Sequence, residues 1–158
     1  MRREAKRPRE EVLTRSEEET EELGRLLAAS LSSDDVVYLI GNLGAGKTCL
    51  ARGLAMGLGA SAREVASPSF AILHEYAGPG GEIVLRHLDL YRLRDSEKDL
   101  AILGLPGSVI GAPVGVEWPG ETIRGLLPPT VEVRIDVLPD GNRRIRENRI
   151  RENVKRKT

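Results

Sequence analysis

Aromatic residues are scarce in this chain. Phe70, Trp118, Tyr38, Tyr76 and Tyr91 are the whole set among 158 residues, so the core has to be built from Leu, Ile, Val and Ala, which repack readily while volume is kept. Cysteine is scarcer: Cys49 alone excludes an internal disulfide and points to a reducing, cytoplasmic setting. A small packed residue is the plainer reading of it, over a thiol activated at a helix start. No apolar run approaches the roughly 20 residues that cross a bilayer. The basic start Met1-Arg2-Arg3 has no apolar stretch after it, as a secretion signal would. No membrane role is expected. His74 and His87 have no third ligand at metal spacing, which argues against zinc.

Net charge is also missing, because 24 Lys and Arg balance 24 Asp and Glu. The balance is uneven along the chain. Residues 142–158 carry eight basic side chains against two acidic, residues 1–11 carry five against three, and the body between holds eleven against nineteen. An acidic body with basic ends suggests three parts: a flexible basic segment over 1–13, one domain over 14–141, and a basic tail over 142–158 that finishes a strand and is then disordered. The tail repeats Arg-Ile-Arg-Glu-Asn at 144–148 and 149–153, too short for a repeat architecture. Such ends suit nucleic acid or an acidic partner as well as plain solvation.

What is present is punctuated clearly. Ser16 with Glu19 has capping-box spacing, and Leu23, Leu26, Leu27 and Leu31 share a helical face. Val36–Ile40 is apolar on both alternating faces, as in a strand inside a parallel sheet. Lys47–Leu58 reads as a helix stopped near Gly57 and Gly59. Extended runs over 70–76 and 82–89 flank Gly78-Pro79-Gly80-Gly81 and predict an antiparallel hairpin. A short helix is expected over Ser96–Leu103, a strand over Val114–Trp118, and a strand with one wet face over Thr130–Val137. The expected fold class is α/β: a single domain with a mainly parallel central sheet, an antiparallel hairpin and flanking helices.

The stretch GNLGAGKT, Gly41–Thr48, carries the chemistry. It matches the phosphate-loop pattern in full and lies between a predicted buried strand and a predicted helix. Glycines at 41, 44 and 46 let backbone N–H groups turn inward at the helix N-terminus, where partial positive charge favours phosphate. The nucleotide site is thus assigned to Asn42, Leu43, Gly44, Ala45, Gly46, Lys47, Thr48 and Cys49. Lys47 would reach the β- and γ-phosphates of a nucleotide, and the Thr48 hydroxyl would ligate Mg²⁺. Hydrolysis needs acids as well. Asp89 and Glu117 end predicted core strands, where ligands of open α/β sheets gather. Spacing alone leaves Ser67-Pro68-Ser69 open between a turn and a phosphate-sensing loop.

Together, the segments SEEETEELGRLLAASL, GNLGAGKT, SPSFAILHEY, HLDLYRL and VGVEWPG, in this order, resemble the TsaE (YjeE) family, the bacterial ATPase of tRNA threonylcarbamoyladenosine synthesis. The likeness covers about residues 14–137. It implies a small α/β P-loop ATPase that joins the proteins TsaD and TsaB in modifying adenosine 37 of tRNA, with tRNA contacted indirectly or through the basic tail. By resemblance Lys47 takes the phosphates, Thr48 and Glu117 the magnesium, and Asp89 is a second catalytic or metal-associated acid. Ser67, Ser69, Tyr91 and Arg92 become switch-like or partner-contact residues.

Three positions depart from the family pattern. Asn42 stands where an acid is common, Ser69 replaces the usual Thr, and 106–113 carries neither the charge nor the ring usual there. Two other readings stay open: a nucleotide-gated assembly protein without required hydrolysis, and a small-molecule phosphotransferase. The second would want an Arg-rich lid, for which only Arg92 and Arg94 are at hand.

Overall fold

A computed structural model describes residues 10–66, 71–93 and 97–150. Ser67, Ser69 and the Ser96 helix start lie outside the described residues. The strands are β1 Glu10–Thr14, β2 Val36–Ile40, β3 Leu73–Ala77, β4 Ile83–Asp89, β5 Val114–Glu117, β6 Val131–Val137 and β7 Arg143–Arg149. The helices are α1 Glu17–Leu27, α2 Lys47–Gly57, α3 Ala62–Ala66 and α4 Glu121–Leu126, with a 3-10 segment over Glu97–Leu103 where a short helix is expected.

One seven-stranded sheet runs β1-β7-β6-β2-β5-β4-β3. Its four central strands, β6, β2, β5 and β4, are mutually parallel, whereas β3, β7 and β1 join antiparallel at the flanks. The expected hairpin is β3–β4. In β2, alternate residues serve opposite layers. Val37 and Leu39 enter the core under α1 and α2; Val36 and Tyr38 enter the core under α4 and the 3-10 segments. All four are at most 2% exposed. Each such side chain contributes about 1.5–3 kcal/mol by leaving water, and the Tyr38 hydroxyl donates to the Leu127 carbonyl at 2.6 Å. The divergent 106–113 stretch packs through Val109 and Ala112, both buried.

The sheet passes both bounds expected for the domain. β1 falls in the stretch expected to be flexible, and β7 occupies the start of the expected tail. The reason is pairing rather than composition. β7 hydrogen-bonds to β6 and β1 on its two sides, and one apolar side chain, Ile145, anchors it in the core. Arg149 fixes its end by donating to the buried Asp35 carboxylate at 3.1 Å and to the Ser30 carbonyl at 3.1 Å. The first Arg-Ile-Arg-Glu-Asn copy is therefore sheet.

α1 begins as its capping box foretells, with the Glu19 N–H donating to Ser16 Oγ at 3.1 Å. It lies unusually close to α2. A Cβ on Gly24 would collide with the Leu50 carbonyl oxygen, one on Gly53 with the Glu21 carbonyl oxygen, and one on Gly57 with the Arg25 carbonyl oxygen. Backbone meets backbone there, so no side chain can yield. Gly53→Ala should cost about 2–3 kcal/mol by overpacking, seen as a melting temperature lower by roughly 5–10 °C. Gly125→Ala on α4, where a Cβ meets nothing within 4 Å, should hold or raise the melting temperature. Equal melting temperatures for the two variants would refute this account of the α1–α2 contact.

Candidate functional site

The glycine-rich loop leaves the C-terminal end of β2 and enters α2. Gly44 and Gly46 adopt φ +78° and +110°, values that side-chain-bearing residues rarely take. The Ala45 N–H closes the loop on the Asn42 carbonyl at 3.0 Å, and Gly46 caps α2. The amides of the first helical turn have no intrahelical acceptor and leave a partial positive charge at the loop. At Gly41 a Cβ would press on the Ile135 carbonyl oxygen of β6, so the loop's first residue is held against the sheet.

Lys47 opens α2 and is 5% exposed. Its Nζ donates to the Gly41 carbonyl at 2.5 Å and the Asn42 carbonyl at 3.3 Å, and lies 3.8 Å over the Trp118 ring. Burial pushes its pKa below the ordinary lysine value, while the charges of Glu117 and Asp89 pull it back up. Those acids are register partners at the C-terminal ends of β4 and β5. Glu117 is 2% exposed. The Thr48 hydroxyl lies 3.3 and 3.5 Å from its two oxygens, and His87 Nε2 lies 2.8 Å from Oε2 as a close electrostatic contact rather than an aligned hydrogen bond. Asp89 Oδ1 accepts from the Tyr91 N–H at 3.1 Å.

These groups surround a cavity of about 300 Å³ lined by Lys47, Thr48, Asp89, Tyr91, Glu117 and Trp118, with Leu43, Gly44, Gly46 and Cys49 of the loop region. Sequence reasoning places all of them at the site except Trp118. It packs on Lys47 and edge-on to Tyr91 at 5.1 Å, from a backbone held at φ 58°. Such a conformation is costly for a bulky residue and concentrates at functional sites. Ala45 is buried inside the loop. Asn42 instead lines a neighbouring cavity with Arg124 and Arg134, and Arg92 is exposed and lines neither. Three residues were missed: Glu17, Arg52 and Arg143 also line the cavity. Arg143 donates from Nε to the Ala45 carbonyl at 2.7 Å, a contact across 98 residues that no local pattern reveals. Arg52 could have been found, since it sits one helical turn beyond Thr48.

Cys49 donates to the Glu17 carbonyl at 3.0 Å, and burial raises its thiol pKa. This is the packed cysteine expected from sequence. Among the described residues no cluster of three or more His, Cys, Asp or Glu could hold a metal. Thr48 and Glu117 can still offer two oxygen ligands to a small hard cation that draws the rest from phosphate and water, which is how Mg²⁺ is usually held.

A loop of this geometry at the end of a central parallel strand, with acids on the two adjoining strand ends, defines a P-loop α/β domain of the nucleotide-binding class. The family model of the threonylcarbamoyl adenosine biosynthesis protein TsaE matches residues 14–147. The chain belongs to the TsaE family, whose members serve the synthesis of threonylcarbamoyladenosine in tRNA. It is 42% identical over 135 residues to the tRNA threonylcarbamoyladenosine biosynthesis protein TsaE of Treponema pallidum, covering 84% of this chain and 96% of that protein. The Streptomyces coelicolor protein of the same description is 40% identical over 115 residues, 73% of this chain and 77% of the relative. The crystal structure of Bacillus subtilis YdiB superposes with a TM-score of 0.64 at 30% identity, over 90% of this chain and 86% of that one.

Arg143 ties β7 to the loop, so Arg143→Ala should lower the melting temperature by a few degrees through the loss of one charge-assisted hydrogen bond, and weaken phosphate-ligand binding because the loop loses its brace. Trp118, the only tryptophan, supplies the fluorescence signal for that titration. Unchanged affinity would confine Arg143 to the sheet edge.

Proposed function

We propose that this chain is the ATPase subunit of the tRNA-modifying machinery, binding Mg-ATP and hydrolysing it together with TsaD and TsaB. One observation carries the reading: the chain brings Lys47, Thr48, Asp89 and Glu117 around a single cavity from three separate parts of the sequence. The loop amides and Lys47 hold the β- and γ-phosphates. Thr48 and Glu117 hold the magnesium, which when bound offsets phosphate charge. Asp89, beside Glu117 and accepting from the Tyr91 N–H, orients water and accepts its proton. His87 keeps Glu117 turned toward Thr48. Threonylcarbamoyl transfer belongs to the partner proteins, and hydrolysis resets their complex between turnovers. Arg92, off the cavity, offers no phosphotransferase lid.

Among the described residues no helix is long and apolar enough to cross a membrane; the proposed cytoplasmic location rests on the tRNA-modifying role. Residues 151–158 add Arg151, Lys155, Arg156 and Lys157 against Glu152. These charges assist contact with tRNA or an acidic partner. Because β7 ends at Arg149, a tail test must cut after Ile150 and not at Gly141. The shortened chain should lose assembly affinity at low salt and match the full chain at high salt. A loss independent of salt would argue against the electrostatic role.

ATP turnover should be slow for the chain alone, rise at least about tenfold with TsaD and TsaB, and fall by about 100-fold or more in Lys47→Ala. Glu117→Gln should keep ATP binding and lose hydrolysis to a similar degree, and chelation of Mg²⁺ should abolish it. If Glu117→Gln cannot hydrolyse ATP yet supports full tRNA modification, nucleotide binding alone drives the assembly. Partners without effect would remove the proposed role at its core.

A further inference from the structure

Arg52 is a basic side chain of the cavity that the proposed mechanism leaves unused, and unlike Arg143 it holds no loop carbonyl. It projects from α2 into the same space as Lys47, Thr48, Asp89 and Glu117. It follows Thr48 by four residues, which sets it on the same helical face about 6 Å further along the axis. Its Nε is buried and has no hydrogen-bond partner among the described residues.

Arg144 Nε, on β7 away from this cavity, is also buried without a hydrogen-bond partner among the described residues, although Arg144 pairs with Asp136 through Nη2; other arginines are satisfied. Arg86 pairs with Glu75, Arg146 with Asp136 and Arg149 with Asp35, while Arg143 holds the Ala45 carbonyl. A buried guanidinium N–H without a partner is costly, so this one is poised for a group not supplied by the described residues.

Resting on the ATP reading above, we infer that Arg52 contacts the γ-phosphate and stabilises it during hydrolysis, as an arginine supplied by the chain itself. In that step the water oxygen bonds to the γ-phosphorus, and the bond from that phosphorus to the bridging oxygen breaks. The electron pair stays on the β-phosphate of ADP, and the water proton passes to Asp89 and on to solvent. Negative charge spreads over the outer γ-oxygens meanwhile. Lys47 reaches them from the loop side; Arg52, one turn further along α2, reaches them from the far side with a planar fork that suits two oxygens at once.

The contact exists only when the γ-phosphate is present, so it must separate ATP from ADP. Affinities for ADP and for a non-hydrolysable ATP analogue, both with Mg²⁺, are measured by Trp118 fluorescence on the full chain, its Arg52→Ala and Arg52→Lys variants and Lys47→Ala. Arg52→Ala should bind ADP within about twofold of the parent, bind the analogue at least about tenfold more weakly, and hydrolyse ATP about 10³-fold more slowly. Arg52→Lys should regain part of the analogue affinity while kcat stays at least about tenfold low, since a point charge does not replace the fork. If Arg52→Ala does not fold, Arg52→Gln carries the same comparison with the stem kept. An unchanged ratio of analogue to ADP affinity in a folded variant overturns the inference, whether both affinities hold or both fall. A parent chain that binds neither nucleotide, or binds them equally well after Lys47→Ala, overturns the ATP reading beneath it as well.

Discussion

On β5, Glu117 has Leu39 of β2 as its register partner on one side and Asp89 of β4 on the other. That pairing brings the loop, the first acid and the second acid to one edge of the sheet. The side-chain period of a strand is two, so a slip of one residue would turn Glu117 away from Thr48 and expel Val114 and Val116 from the core. Both valines are fully buried. The hydrophobic pattern of a four-residue strand therefore enforces the geometry of the site, and the acid needs no loop of its own to be placed.

Register fixes where the acids stand, and the α1–α2 contact fixes where Lys47 stands. Lys47 is the first residue of α2, so its position follows from the axis of that helix. The axis is set by Gly24, Gly53 and Gly57, which let the two backbones touch. A larger residue at any of them would push α2 outward and carry the lysine with it. On the other side, Arg143 of β7 holds the loop at Ala45, and β7 is held in turn by Arg149 on the buried Asp35. Two elements distant in sequence thus brace the loop from opposite sides.

The central parts of this arrangement are legible in the sequence because their signals are local. β2 is a continuous apolar run, the loop is a glycine pattern of fixed spacing, and the acids close apolar stretches. β1 and β7 are less legible. β7 reads Arg-Arg-Ile-Arg-Glu-Asn-Arg, with one buried apolar residue, and owes its strand to partners on both sides, which periodicity cannot show. The same holds for Arg143, whose acceptor is 98 residues away. Trp118 was visible beside Glu117, but its seat over Lys47 depends on a left-handed backbone that no propensity favours. The close glycines of α1 and α2 carry no local signal of the contact, because the facing backbone belongs to a distant segment.

Charge and solvent explain why such a site would work slowly by itself. Lys47 and Glu117 are buried, so their fields act in a low dielectric and remain strong. The outer side of the loop is different: Thr48 is exposed, and Leu43 at the tip is 73% exposed. On the reading proposed above, a triphosphate lying between these walls would be held from one side and would face water on the other. Water weakens the electrostatic help that phosphoryl transfer depends on. A second surface laid over Leu43 would remove that water and raise the worth of every charge already in place. On the reading proposed above, the exposed leucine at the loop tip thus ties hydrolysis to assembly, with no change of chemistry inside the cavity.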